Sequence, residues 1–158
     1  VAGLLAIYLN DHLAGATGGI ELARRLVSSN RGTEPYDATL RRICEEIEAD
    51  RATLEQLVTR LGYEKSRVKP ALAWLAEKGG RLKLNGRLRG YSPLSRVLEL
   101  EGLQMGITAK LQLWHALQRL GPSQTADLDL EALVRRAEEQ RSTVEELHRH
   151  AVGALTSA

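Results

Sequence analysis

The sequence predicts an all-α fold: four long helices arranged as two antiparallel hairpins, joined by one long crossover that contains a short helix. Three observations carry this. The composition is rich in Leu, Ala, Arg and Glu, with no Phe and four Pro, which favours helix over sheet. Apolar residues recur at three- and four-residue spacing through four long segments. The breaks between those segments are short twice and long once. At 158 residues the chain suits a single domain, 1–158, with one substantial core.

The first helix runs from about Leu4 to Val27, with Leu5, Leu9, His12, Ala16, Ala23 and Leu26 along its stripe. "SSNRGTEP" breaks it, and Pro35 suits the first turn of the next helix. The second runs from about Tyr36 to Leu61, with Leu40, Ile43, Ile47, Asp50, Leu54 and Leu57 on one side and Gly62 as its stop. The third opens at Ser92-Pro93, a capping residue followed by an N1 proline, and continues to Leu120. The fourth runs from about Leu130 to Leu155, and its stripe reads Leu130, Val134, Ala137, Arg141, Val144, His148 and Ala151. Roughly eight residues join the members of each pair, a length suited to antiparallel hairpins. The crossover, 62–91, is long enough to travel the roughly 39 Å of a bundle helix, so the third helix runs parallel to the second. A short helix within "KSRVKPALAWLAEKGG" and an Asn85-Gly86 turn are expected there.

Several function classes are excluded or weakened. A lone cysteine, Cys44, permits no internal disulfide and no cysteine metal cluster. The longest apolar stretch, "LLAIYL", is too short to span a bilayer, and its flank lacks the basic region of a secretory signal. A cytoplasmic protein is expected. Charge is unevenly placed. From Arg60 to Arg96 there are ten Lys and Arg against two Glu, a net +8, while the rest of the chain is net −6.

The helix lengths and connections, with "IYLNDHLAG", "EEIEADRATL" and "RLKLNGRLRGYSPLSRVLELEG", resemble the ferritin-like superfamily, and more narrowly bacterial proteins of that fold. The resemblance implies a ferritin-like four-helix bundle. It does not imply one activity, because the superfamily includes oxygenases, iron stores and proteins without metal.

A di-metal carboxylate member places acids on two helices and Glu-x-x-His on the other two. "EELH" supplies Glu145 and His148, but the second helix has no histidine three residues beyond an acid. Iron or manganese held by Glu46, Glu101, Glu145 and His148 is therefore the alternative reading. Counting heights along the hairpins brings Glu46, Glu101 and His148 to one layer, and His12, Asp50 and Arg141 to another. Inward charges must be paired or bound to metal. An arginine at the metal's level favours a buried network of His12, Asp50 and Arg141, with no cofactor and no catalytic residue.

Gly15, Gly18 and Gly19 on the first helix and Gly102 and Gly106 on the third suggest a close helix contact, Gly19 opposite Gly102 and Gly15 opposite Gly106. A hollow for an apolar ligand is the alternative. The basic residues Lys65, Lys69, Lys78, Arg81, Lys83, Arg87 and Arg89 form either a solvated crossover or a footprint for an anionic partner, nucleic acid or membrane. No helix-turn-helix, zinc or aromatic RNA-binding signature accompanies them. Leu94, Leu98, Met105 and Leu111–Leu113, beyond the core stripe, suggest a homodimer. A structural or interaction protein is the preferred reading.

Overall fold

The computed structural model describes residues 3–65, 90–125 and 127–156. Among them the chain is all-helical, with no strand. Four long helices dominate: α1 Leu4–Ser29, α2 Tyr36–Arg60, α3 Pro93–Leu120 and α4 Leu130–Gly153. One helical turn, Pro122–Thr125, precedes α4, and a 3-10 turn, Ala154–Thr156, follows it. The helix and turn expected within the crossover fall at 66–89, outside the described residues.

Local chemistry sets these boundaries. The Ser92 hydroxyl accepts from the Ser95 backbone N–H at 3.1 Å, the Ser95 hydroxyl lies 3.5 Å from the Ser92 N–H, and Pro93 occupies N1. This capping box satisfies donors that the helix itself leaves open. Asp129 caps α4 in the same way, accepting from Ala132 N–H at 2.9 Å. α2 stops before Gly62, whose φ of +70° is a left-handed conformation that costs glycine little.

Cross-helix pairs give the directions. Arg24–Glu48 and Arg51–Thr17 make α1 and α2 antiparallel. Glu101–His148 and Lys110–Gln140 do the same for α3 and α4. α1 also lies antiparallel to α3 through Arg25–Glu99 and Asn30–Arg96. α2 meets α4 more sparingly, through Tyr36–His150 and Asp50–Arg136. α2 and α3 run the same way, since Arg96 covers the Tyr36 ring at 4.4 Å and Lys110 reaches Asp50.

Among the described residues two apolar clusters fill the interior. Leu26, Tyr36, Leu40, Ile43, Leu100 and Val144 belong to one, towards the start of α2 and α3. Leu9, Leu54, Leu57, Trp114, Leu117 and Ala137 belong to the other. Burying each large side chain contributes about 1.5–3 kcal/mol. The sequence places a polar residue at the boundary on three helices. Asp50 lies between Ile47 and Leu54, Lys110 between Ile107 and Leu111, and Gln140 between Ala137 and Val144.

The glycine contact has a different register from the one expected. Gly102 faces Leu22, whose Cδ2 lies 3.0 Å from where a Cβ would stand, and not Gly19. Gly15, Gly19 and Gly106 have nothing within 4 Å of that position. Counting from the loop midpoints misplaced α3 against α1 by about one turn. Gly106→Ala should therefore raise stability by about 0.5–1 kcal/mol through helix propensity, read as a shift in urea midpoint at unchanged slope. Gly102→Ala should gain less, because Leu22 must move.

Candidate functional site

Asp50 continues the buried stripe of α2 and is 2% exposed. A carboxylate so placed needs compensation from its neighbours. Lys110 Nζ of α3 donates to Asp50 Oδ2 at 2.5 Å and to Gln140 Oε1 of α4 at 2.5 Å. The Arg136 guanidinium of α4 holds Asp50 Oδ1. Gln140, fully buried, turns its amide nitrogen to Glu46 Oε2 at 2.9 Å. The other Glu46 oxygen takes Arg42 Nη1 at 2.7 Å from the rim. Two acids thus meet two inner cations, with a glutamine as the neutral bridge. Burial pushes the Lys110 ammonium below the usual lysine range, while the Asp50 charge holds it up. Any cation seeking Asp50 Oδ2 would have to displace that ammonium.

A second polar group lies at the end where α2 and α3 begin. Glu99 is fully buried. Arg25 Nε lies 2.6 Å from its Oε1 but out of line, so neither carboxyl oxygen accepts an aligned bond among the described residues. Burial pushes the Glu99 carboxyl up, against the pull of Arg25 and the Tyr91 hydroxyl. The Tyr91 phenol is itself pushed up to about 12, chiefly by burial. Asn30 joins this group to the first hairpin. Its amide donates to Leu26 O at 2.8 Å and to Tyr91 Oη at 2.9 Å, and its oxygen accepts from Arg96 Nε at 2.6 Å.

The expected buried network is corrected on two counts. Asp50 is its centre, but Arg141 is exposed and takes no part. The buried stripe of α4 reads Leu133, Ala137, Gln140, Val144, Leu147 and Ala151, one position round from the stripe expected. Both stripes share Ala137, Val144 and Ala151, so helical spacing alone did not separate Gln140 from Arg141. His12 is also elsewhere, half-buried with its ring edge-on to Tyr8 at 4.7 Å. Burial lowers its pKa, against the charge of Asp11.

Glu101 and His148 do meet, at 3.0 Å, but on the surface. Glu145 is exposed, 3.9 Å from Arg149, and Glu46 points to the Asp50 layer. The four candidate metal ligands therefore do not converge, and among the described residues no three His, Cys, Asp or Glu group as metal ligands. Lys65 pairs with Glu55 at 2.7 Å, while Lys69, Lys78, Arg81, Lys83, Arg87 and Arg89 lie outside the described residues. Leu111 and Leu113 are buried, so they are not spare surface. Two open grooves are lined largely by charged and polar side chains, one along α2 beside Lys65 and one between α1 and α2. Among the described residues no helix is long and apolar enough to cross a membrane. No protein-family model, curated protein or solved structure matches the chain.

Lys110, Arg136 and Gln140 were not singled out from sequence. A signal existed for Lys110: it is the one Lys, Arg, Asp or Glu in α3 between Glu101 and Arg119.

Asp50→Ala should destabilise by about 3–5 kcal/mol, since Lys110 and Arg136 both lose the carboxylate they contact, whereas Arg141→Ala should stay within about 0.5 kcal/mol of wild type. Denaturant melts of both variants test the layer's membership. Glu99 gives a pH test. Its raised folded pKa means the native state binds more protons above the ordinary 4.5, so its contribution to stability falls as pH rises through the folded value. Urea melts from pH 4 to 8 should show Glu99→Gln gaining on wild type as pH increases.

Proposed function

We propose that this chain is a ferritin-like four-helix bundle whose mid-height acids, Asp50 and Glu46, are neutralised by its own cations, and that it acts as a structural or interaction module in the cytoplasm, as a homodimer. The observation that carries the reading is Lys110, whose ammonium contacts both Asp50 and Gln140 at 2.5 Å at mid-height of the helices. In a di-metal protein of this architecture the inward carboxylates of four helices share that space with two metal ions. Here one lysine and one arginine supply positive charge of the same kind, fixed covalently to the helices. The like direction of α2 and α3, with each hairpin antiparallel, is the arrangement that a long crossover between two hairpins produces. A polar layer tied across three helices in this way selects one packing among many apolar alternatives.

The contrasting reading is a di-iron or di-manganese oxidoreductase. It requires the Asp50 carboxylate to exchange its two cations for metal. Purified protein, loaded with excess iron(II) or manganese(II) and desalted, is expected to retain well under one equivalent per chain by elemental analysis. Two equivalents, lost in Asp50→Asn, would overturn the proposal.

A further inference from the structure

α3 carries an outward seam at alternating four- and three-residue intervals, from Leu94 through Glu101, Met105, Thr108 and Gln112 to Arg119. That is the spacing of two helices packed along their length. Leu94 is 47% and Met105 54% exposed, and nothing among the described residues covers them. Lys110, the one Lys, Arg, Asp or Glu between Glu101 and Arg119, is turned inward to Asp50. The outer faces of α2 and α4, by contrast, are dense in charge.

We propose that this face binds a second copy of the chain, α3 against α3 antiparallel, about a twofold axis at the level of Lys110 and Gln140. The inference rests on the dimer reading above and adds its surface and register. Two charge patterns, on different helices, point to the same axis. Glu101 and Arg119 are equidistant in sequence from Lys110, so antiparallel pairing sets each Glu101 against the second copy's Arg119. The same register sets Thr108 against Gln112. Parallel pairing in register would instead oppose Glu101 to Glu101. On α4, three pairs of opposite charge are centred on Gln140. Glu139 precedes it and Arg141 follows. Arg135 and Glu145 are equidistant from it, as are Glu131 and Arg149.

All six of these α4 charges are exposed, and Arg135, Glu139 and Arg141 have no ion pair among the described residues. Spacing within one helix accounts for alternating charge on α4. It does not account for the two centres of symmetry falling at one height, where Lys110 Nζ touches Gln140 Oε1. At the apolar end, Val152 and Leu155 are 41% and 40% exposed. They lie beside Leu98 and Leu94 by the Glu101–His148 register, where the second copy's turn at Pro122 reaches them. Exposed ion pairs add little affinity singly. They select the register, and the exposed apolar side chains of this face, Leu94, Met105, Val152 and Leu155, supply the attraction.

Sedimentation equilibrium of the full chain tests this. Wild type is expected to dimerise. Arg119→Glu should raise the dissociation constant about tenfold or more by placing like charges together, and the exchange Glu101→Arg with Arg119→Glu should restore it. Met105→Lys should also dissociate the dimer, with far-UV circular dichroism unchanged in every variant. A dimer indifferent to Arg119→Glu and Met105→Lys would remove this face while leaving the dimer reading intact. A chain that stays monomeric at the highest soluble concentration would remove both.

Discussion

The fold depends on the neutralisation of Asp50. An isolated carboxylate at 2% exposure is incompatible with a stable interior, because moving a bare charge out of water costs several kcal/mol even after relaxation. Lys110 from α3 and Arg136 from α4 converge on it, so the cost is offset only when three helices stand at one relative height. Apolar contacts tolerate small slips along a helix. A lysine with one acceptor on α2 and another on α4 does not. The layer therefore sets the axial register of the bundle, while the apolar clusters above and below it provide most of the attraction.

The end of the bundle where α2 and α3 begin is organised differently from its middle. Near the start of α2 and α3 the polar groups form a chain rather than a closed layer: Arg96 to Asn30, Asn30 to Tyr91, and the Tyr91 hydroxyl beside Glu99. Glu99 is the least compensated member, with a misaligned arginine and the Tyr91 hydroxyl beside it. Its burial costs more as the carboxyl ionises, whereas the Asp50 layer is balanced by fixed cations. The same bundle thus holds one acid whose charge is required and one whose charge is resisted.

Helix boundaries were legible in the sequence because they rest on local chemistry. Ser92-Pro93, Gly62 and the "SSNRGTEP" break each act within a few residues, and the four helices begin and end close to where those signals place them. The buried stripe of α2 was legible for a related reason: Leu40, Ile43, Ile47, Leu54 and Leu57 leave no competing face. α4 differs, because Arg141 and Gln140 flank the same shared positions and only the neighbouring helices decide between them. Asp50 was recognised as buried and charged, but its partners depend on the height of α3, which a connection of about thirty residues leaves open. Glu101 and His148 were matched in height because a short connection fixes that hairpin, but they meet on the surface and not in the inward layer expected, and Glu46 is not with them.

Asn30, at no exposure, closes the end of α1 through Leu26 O and also grips Tyr91 and Arg96, separated from it by 61 and 66 residues in sequence. The Asp50 contacts span 60 and 86. Each hairpin can form from contacts near in sequence, but these ties require the two hairpins to find one another across a connection of about thirty residues, whose closure entropy is lost before the contacts compensate it. Docking of the two hairpins, rather than helix formation, is accordingly expected to limit the folding rate.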